Sequence, residues 1–216
     1  MRILFFLLLI IPGLSFAQAS IEHFSFTGDS DTSYYYAYVN ERVSTFELTG
    51  IVDKEVEFVF RFWRPSGFVE VTKNGTALAA RVTFMVIEAG KKERRFVKTF
   101  ELPRETATSL YSFLLTSEAY QLPRSNAIDK WVNGYDGVTY VYETKNENLL
   151  SFKWYWSPKA QEGVPEAHTL LDFNTCIDEI IGFEHLRTSF DEAIPFRSYK
   201  YHGEAYSIIR LDWRRK

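Results

Sequence analysis

Residues 55–62 read Glu-Val-Glu-Phe-Val-Phe-Arg-Phe, and this stretch decides the fold class. Apolar side chains recur in it at every second position, at Val56, Phe58, Phe60 and Phe62. Residues two apart point to the same side of an extended chain, so this period predicts a strand with one face on the core. Turn signals follow at 64–67 (Arg-Pro-Ser-Gly) and at 74–75 (Asn-Gly), and an apolar run comes after each. The stretch 46–102 therefore predicts consecutive antiparallel hairpins.

The segments on either side of this stretch predict further strands. Residues 34–39 and 42–49 are rich in Tyr, Val, Phe and Thr, which favour extended structure. Farther along the chain, 138–144 and 149–156 predict a hairpin around the polar residues 145–148. With that loop, one face of the hairpin carries Val141, Glu143, Leu150, Phe152 and Trp154.

Two segments have helical spacing instead. Residues 103–119 open on Pro103, which suits the first turn of a helix, and 168–186 predict the longest helix of the chain. Strands that come mostly in hairpins, with helices set between them, are typical of the α+β class. We therefore predict a mainly antiparallel sheet built from hairpins, with two principal helices, about 103–119 and 168–186, packed on one face.

The first residues, 1–19, predict export from the cytoplasm. Arg2 precedes the apolar run 3–11, and the small-residue pattern Ala17-Gln18-Ala19 follows, as in a cleavable signal peptide. The run is shorter than the roughly 20 residues that span a bilayer, so no stable membrane insertion is expected after cleavage. Ser20 rather than Cys follows the expected cut, so we do not expect a lipoprotein. The mature chain, 20–216, is predicted to be a single globular domain, periplasmic or secreted.

The charge of the chain limits its possible partners, and its cysteine content limits its covalent cross-links. Lys and Arg total 25 against 28 Asp and Glu, for a formal net charge of −3. A mildly acidic chain has no general attraction for nucleic acid. Cys176 is the only cysteine, which excludes an intramolecular disulfide, and we expect its side chain to be buried as a small apolar group.

The chain contains no motif of the common serine hydrolase, zinc or nucleotide-binding classes. Residue types that can bind metal nevertheless lie along one line of the 168–186 helix, at His168, Asp172, Cys176 and Glu179. The opposite side of this helix is apolar, so we interpret the line as its solvated face. Neither a metal nor a cofactor is expected.

One carboxylate is chemically distinctive. Glu143 lies among aromatic residues on the predicted hairpin, where burial would disfavour the charged form and raise the pKa. Asp136, just before the strand, could supply the second carboxylate of a glycosidase-type pair. A structural explanation competes with this one, because Glu143 lies near a strand end and Asp136-Gly137 is a turn signal.

Aromatic residues supply the other candidates. Phe, Trp and Tyr make up 17% of the chain and include the runs Tyr34-Tyr35-Tyr36 and Trp154-Tyr155-Trp156. Exposed Tyr and Trp rings bind sugar rings and protein partners. We therefore take as candidate ligand-binding residues Tyr34, Tyr36, Trp154 and Trp156.

Two functions remain open on the sequence. The first is a non-catalytic envelope or extracellular protein that binds an unknown protein or carbohydrate partner through these aromatic residues. The second is a secreted hydrolase, directed at glycan, that uses Glu143 and Asp136. An open pocket that contains Glu143 and another carboxylate about 5–10 Å away would favour the hydrolase.

Overall fold

The computed structural model describes residues 25–28, 30, 34–134, 136–203 and 205–210. The predicted signal peptide and its cleavage site lie outside these residues. The strands are β1 (Ser25–Phe26), β2 (Phe58–Arg64), β3 (Gly67–Asn74), β4 (Ala77–Glu88), β5 (Arg95–Glu101), β6 (Thr139–Asn146), β7 (Leu149–Trp156), β8 (Ser198–Lys200) and β9 (Ile208–Ile209). The helices are α1 (Tyr34–Thr45), α2 (Arg104–Thr116), α3 (Glu118–Gln121), α4 (Pro165–Ile181) and α5 (Phe183–Ala193).

These strands form one sheet, in the order β1-β7-β6-β2-β3-β4-β8-β9, with β5 paired to β4 off this path. Every pairing is antiparallel except that of β1 with β7. The central strand β2 is buried along its whole length, so elements cover both faces of the sheet. The predicted α+β class and mostly antiparallel sheet are confirmed.

The larger core lies on the face toward which the even-numbered side chains of β2 point. Helices α2, α4 and α5 cover this face with apolar side chains that include Leu110, Phe173 and Phe190. Phe84 of β4 stacks on Phe190, with ring centroids 5.0 Å apart. This face of the sheet is therefore covered by helices.

The two predicted helices have different bounds in the structure. In place of a helix over 103–119, α2 ends at Thr116 and the short α3 follows it. In place of one helix over 168–186, the chain forms α4 and α5. Gly182 separates them with a left-handed φ of 64°, a backbone conformation that ends a helix and that glycine adopts without strain.

Helix α1 covers the opposite face of the sheet, so the prediction of strands at 34–39 and 42–49 is wrong. Val39 and Arg42 are the buried residues of α1, and Phe46 is buried just beyond its end. With Tyr35 they recur at intervals of four, three and four residues, which is the stripe of an amphipathic helix. Packing of this stripe on the sheet overrides the extended preference of the individual residues.

A charge row of alternating sign crosses this face of the sheet, from the exposed Glu101 at one end to the buried Glu143 at the other. Each member lies directly opposite the next on a neighbouring strand, in the order Glu101, Arg81, Glu70, Arg61 and Glu143. Glu70 Oε2 accepts a hydrogen bond from Arg61 Nε at 2.5 Å. Its Oε1 lies 2.8 Å from Arg81 Nη2 and 3.0 Å from Lys54 Nζ. Burial opposes the ionisation of Glu70, but the three cations outweigh it and lower the pKa of its carboxyl group.

Arg61 of the row and Lys145 of β6 hold the segment that follows α1. Arg61 Nη2 donates to the carbonyl oxygen of Thr49 at 2.7 Å, and Lys145 Nζ donates to that of Lys54. Between these points Ile51 packs with Val59 of β2 in a small apolar cluster. Residues 46–57, called the strap below, are therefore held on the sheet by both charged and apolar contacts.

The β6–β7 hairpin differs from its prediction in register but not in face. Asn146 pairs with Leu149, so the turn is Glu147-Asn148 rather than 145–148. Glu143 consequently lies opposite Phe152 instead of Leu150. A shift of two residues returns each side chain to the same side of a strand, so the predicted face is retained.

Replacing Glu70 tests the charge row. Glu70→Gln leaves Arg61 and Arg81 without their buried counter-charge, and we expect a loss of about 3–5 kcal/mol in the free energy of unfolding. Glu57→Gln is the matched control, because Glu57 pairs with Lys73 at an exposed site and its loss should leave stability nearly unchanged. Urea unfolding followed by circular dichroism gives both values, and equal effects of the two substitutions would contradict the burial of the row.

Candidate functional site

A cleft of about 590 Å³ lies between α1, the start of β6 and the end of β7, on the face that carries the charge row. We call it the aromatic cleft, after the rings that line it: Tyr34, Tyr35, Tyr38, Trp63 and Trp154. Its polar lining includes the side chains of Arg42, Asn133 and Thr139. Arg64 contributes its backbone, because its guanidinium lies on the other face of the sheet beside Asp178 of α4. Two of the candidate residues from the sequence, Tyr34 and Trp154, thus lie at one site.

Contacts between α1 and β7 form one wall of the cleft. The Tyr35 and Trp154 ring centroids are 4.6 Å apart, at an interplanar angle of 42°. Thr139 Oγ1 donates to the Tyr35 hydroxyl at 3.0 Å and fixes the position of that ring. Tyr34 meets Tyr35 edge to face at 5.2 Å and is itself 73% exposed. The wall therefore continues from the covered Trp154 outward to a ring that faces solvent.

The other two aromatic candidates lie outside the cleft lining. Tyr36 is half-buried and packs edge to face on Phe152, with ring centroids 5.2 Å apart. Trp156 is half-buried beneath the loop that precedes β6, so close that a Cβ at Gly134 would lie 2.5 Å from its Cζ2 atom. Both side chains contribute to packing in the state described here.

Arg42 anchors α1 at the cleft. It is only 2% exposed, and its Nη1 and Nη2 atoms donate to the carbonyl oxygens of Arg64 at 2.8 Å and Pro65 at 3.1 Å. Its guanidinium carbon lies 5.0 Å from the centre of the Trp63 ring. These contacts tie the helix to the β2–β3 turn, and a cation over an aromatic face adds to their strength.

Tyr38 holds the far side of the cleft. Its hydroxyl donates to the carbonyl oxygen of His202 at 2.6 Å, and Gly203 next to it also lines the cleft. The His202 ring lies 5.6 Å from that of Tyr38. The segment between β8 and β9 thus closes the cleft along α1.

Glu143 is buried in the charge row and does not line the cleft. It is 4% exposed, and the indole N–H of Trp63 donates to its Oε2 atom. Burial raises the pKa of its carboxyl group, which outweighs the attraction of Arg61 and the bond from Trp63. The expected rise in pKa is present, but the group is enclosed by protein rather than open to a substrate.

Asp136 and Glu143 lie in different surroundings. Asp136 is exposed in the loop before β6, whereas Glu143 follows Thr139 by four strand residues, roughly 13 Å at about 3.3 Å per residue. Glycosidase carboxylates lie about 5–10 Å apart with the sugar between them. With Asp136 exposed and Glu143 enclosed, the structure offers no support for such a pair.

The polar line on α4 faces solvent, as the amphipathic interpretation predicts. His168, Asp172 and Glu179 are exposed, and Cys176 is half-buried with a free thiol, less covered than expected. Among the described residues, no group of three or more His, Cys, Asp or Glu side chains is placed to hold a metal ion.

A smaller cavity of about 340 Å³ lies on the helical face, between α3 and the β6–β7 hairpin. Its lining includes Tyr120, Tyr142 and Lys153, and Lys153 Nζ donates to the carbonyl oxygen of Leu122 at 2.7 Å. The aromatic cleft is larger and contains two candidate residues from the sequence, so we take it as the candidate site.

Sequence reasoning missed most of the cleft because it assigned α1 as strand. Tyr35, Tyr38 and Arg42 were not candidates, although a helix places Tyr38 and Arg42 one turn apart. The helical stripe of α1 is the signal that would have identified them. Trp63 stands out in the sequence as an aromatic residue of the predicted hairpins, but it was not among the candidates.

The pH dependence of stability distinguishes the two buried carboxylates. Because folding raises the pKa of Glu143, its contribution to stability is largest at low pH and is lost as the pH rises through its folded pKa. As the pH rises above the ordinary glutamate pKa of 4.5, the unsubstituted protein should therefore lose stability relative to Glu143→Gln. Urea titrations at several pH values measure this difference.

Glu70→Gln is the matched comparison for this experiment. Folding lowers the pKa of Glu70, so its contribution is present at neutral pH and lost as the pH falls through the folded pKa. The deficit of Glu70→Gln should therefore grow with pH, opposite in sign to the trend for Glu143→Gln. Two trends of the same sign would refute this assignment of the row.

None of the helices in the described part of the chain combines the length and apolar composition that a bilayer crossing requires.

No protein-family model, curated protein or solved structure matches this chain. The aromatic cleft and its surroundings are therefore the basis for inferring its function.

Proposed function

We propose that this chain is an exported, non-catalytic binding protein whose ligand site is the aromatic cleft. The predicted signal peptide supports export, which would leave residues 20–216 as one domain in the periplasm or outside the cell. The observation that carries the binding function is the convergence of Tyr34 and Tyr35 with Trp154, a residue far away in sequence, along the wall of one cleft.

The shape and chemistry of the cleft support a small or chain-like ligand. A concave site with mostly aromatic walls and a few polar groups is the usual form of a binding pocket. Tyr34 offers a largely exposed ring, and Asn133 offers an exposed amide that can both donate and accept hydrogen bonds. No carboxylate is among the described lining residues. The Arg42 guanidinium is buried and donates to backbone carbonyl oxygens, so the cleft presents little charge and favours a neutral ligand.

A saccharide is the ligand class that fits this combination best. One face of a pyranose ring carries mainly C–H groups, which pack on an aromatic ring, while its hydroxyl groups bond to amides and tyrosine hydroxyls. Along the wall of the cleft, the rings of Tyr34, Tyr35 and Trp154 lie next to one another. The hydrolase alternative has no comparable support, because Glu143 is enclosed by protein and does not line the cleft.

Tyr34→Ala tests the proposed site. The ring is exposed, so its removal should leave the fold intact while weakening saccharide binding by about 1–2 kcal/mol, roughly 5- to 30-fold. We would screen the purified protein on neutral and acidic oligosaccharides and measure each hit by calorimetry. Tyr206→Ala is the matched control, since Tyr206 is 61% exposed and does not line the cleft.

The outcomes separate the parts of the proposal. Saccharide binding that weakens in Tyr34→Ala and not in Tyr206→Ala supports the site and the ligand class. Equal binding by both variants would overturn the site. Binding of an extended peptide with no saccharide bound, again weakened by Tyr34→Ala, would retain the site and overturn the ligand class.

A further inference from the structure

Strand β5 forms an open edge of the sheet. It pairs with β4 over Arg81–Ile87, and no other strand in the described parts of the chain pairs with it. Side chains of Arg95, Val97, Thr99 and Glu101 are exposed. An unpaired edge of this length presents backbone donors and acceptors to any chain that can align with it.

The backbone bonds of β5 to β4 identify which groups point outward. Glu88 N donates to the carbonyl oxygen of Arg94 at 2.7 Å, and Leu102 N donates to that of Ala80 at 2.9 Å. In an antiparallel pair, alternate residues direct both backbone groups to the partner strand. The even-numbered residues of β5 therefore bond to β4. The odd-numbered residues from Arg95 to Glu101 direct theirs to the open edge.

The sequence of β5 is complementary to itself. Residues 95–101 read Arg-Phe-Val-Lys-Thr-Phe-Glu. In an antiparallel pair centred on Lys98, Arg95 would lie opposite Glu101 of a second copy, and Val97 opposite its Thr99. Both are pairs of outward-bonding residues, so this register uses every free backbone group of the edge. Opposite charges directly across an antiparallel pair stabilise it by about 0.2–1 kcal/mol each.

We propose that two copies of this chain associate through β5, in antiparallel register about a two-fold axis at Lys98, so that their sheets become continuous. The contact is isologous, as in most closed dimers. On the helical face it would bring Phe96 of each copy, half-buried in the single chain, next to Phe100 of the other. The charge row would also continue, with Glu101 meeting Arg95 of the second copy near the end of the row.

Lys98 limits the strength of this contact. Two lysines meet at the axis, and an edge lysine generally opposes strand pairing. Here the ammonium group is directed toward its own α5, since Nζ donates to the carbonyl oxygen of Ser189 at 3.2 Å and lies 4.7 Å from the centre of the Phe100 ring. A contact between two short strands is also small beside stable interfaces of about 1,200–2,000 Å². We therefore expect a weak, reversible dimer.

Charge-exchange variants test the proposal, with the dimer dissociation constant of each measured by sedimentation velocity over a concentration series. Arg95→Glu or Glu101→Arg alone places like charges across the axis twice and should raise the dimer dissociation constant at least about tenfold. Arg95→Glu combined with Glu101→Arg restores opposite charges and should recover most of the lost affinity. Lys91→Glu, a charge reversal at an exposed position outside β5, is the control and should change little.

Val97→Pro checks the backbone arrangement independently. The Val97 N–H points to the open edge, so proline removes a dimer bond without removing a β4 bond. Urea unfolding of each variant shows whether the single chain still folds. The proposal is supported if Arg95→Glu and Val97→Pro each weaken the dimer and if the double charge exchange restores it. A monomer at all concentrations, or a dimer that these variants leave unchanged, would overturn it.

Discussion

Glu70 lies under the strap with three cations around it, and the rest of this face of the sheet depends on that contact. Arg61 and Arg81 reach it from the neighbouring strands, and Lys54 reaches it from the strap. A buried ionic group is not in itself a source of stability, since apolar residues of similar volume often do as well. The effect of the Glu70 contact is instead to fix the register of the neighbouring strands. Any other register of β2 on β3 would separate Arg61 from Glu70 and break the shortest ion pair of the row.

The position of α1 follows from this arrangement. Arg61 binds the strap at Thr49, and Arg42 binds the β2–β3 turn, so the helix is held at its C-terminal half and just beyond its end. The tyrosines at its N-terminal end then lie over β6 and β7. The aromatic cleft is thus a consequence of how a charged sheet face is covered. Glu143, which suggested an acid catalyst in the sequence, is part of the charged sheet face beneath that cover.

The hairpins could be predicted from sequence because period-two patterns and turn residues are local signals. The same locality explains the errors. The loop of the β6–β7 hairpin was assigned two residues too many, a shift that leaves the face of every side chain unchanged. Residues 34–45 have the composition of strands, and only their packing on a distant sheet makes them a helix. The break between α4 and α5 rests on Gly182 alone.

The site was predictable only in part, for the same reason. Tyr34 and Trp154 could be chosen as exposed aromatic residues, but their convergence with Tyr38 and Trp63 is a tertiary effect that no local pattern contains. Tyr36 and Trp156 belong to the same sequence runs, yet one packs on Phe152 and the other under the loop at Gly134. The raised pKa of Glu143 was predicted with the correct sign, because aromatic neighbours indicate burial whatever the role of the group.

The cleft exists only if α1 lies across the charged face, and nuclear Overhauser effects between aromatic rings measure this most directly. We predict cross-peaks between Tyr35 and Trp154 and between Tyr36 and Phe152, whose ring centroids are 4.6 Å and 5.2 Å apart. Cross-peaks between Thr139 and Trp156, paired across β6 and β7, serve as the internal reference. Detection of the reference contact without either of the two ring contacts would contradict the account.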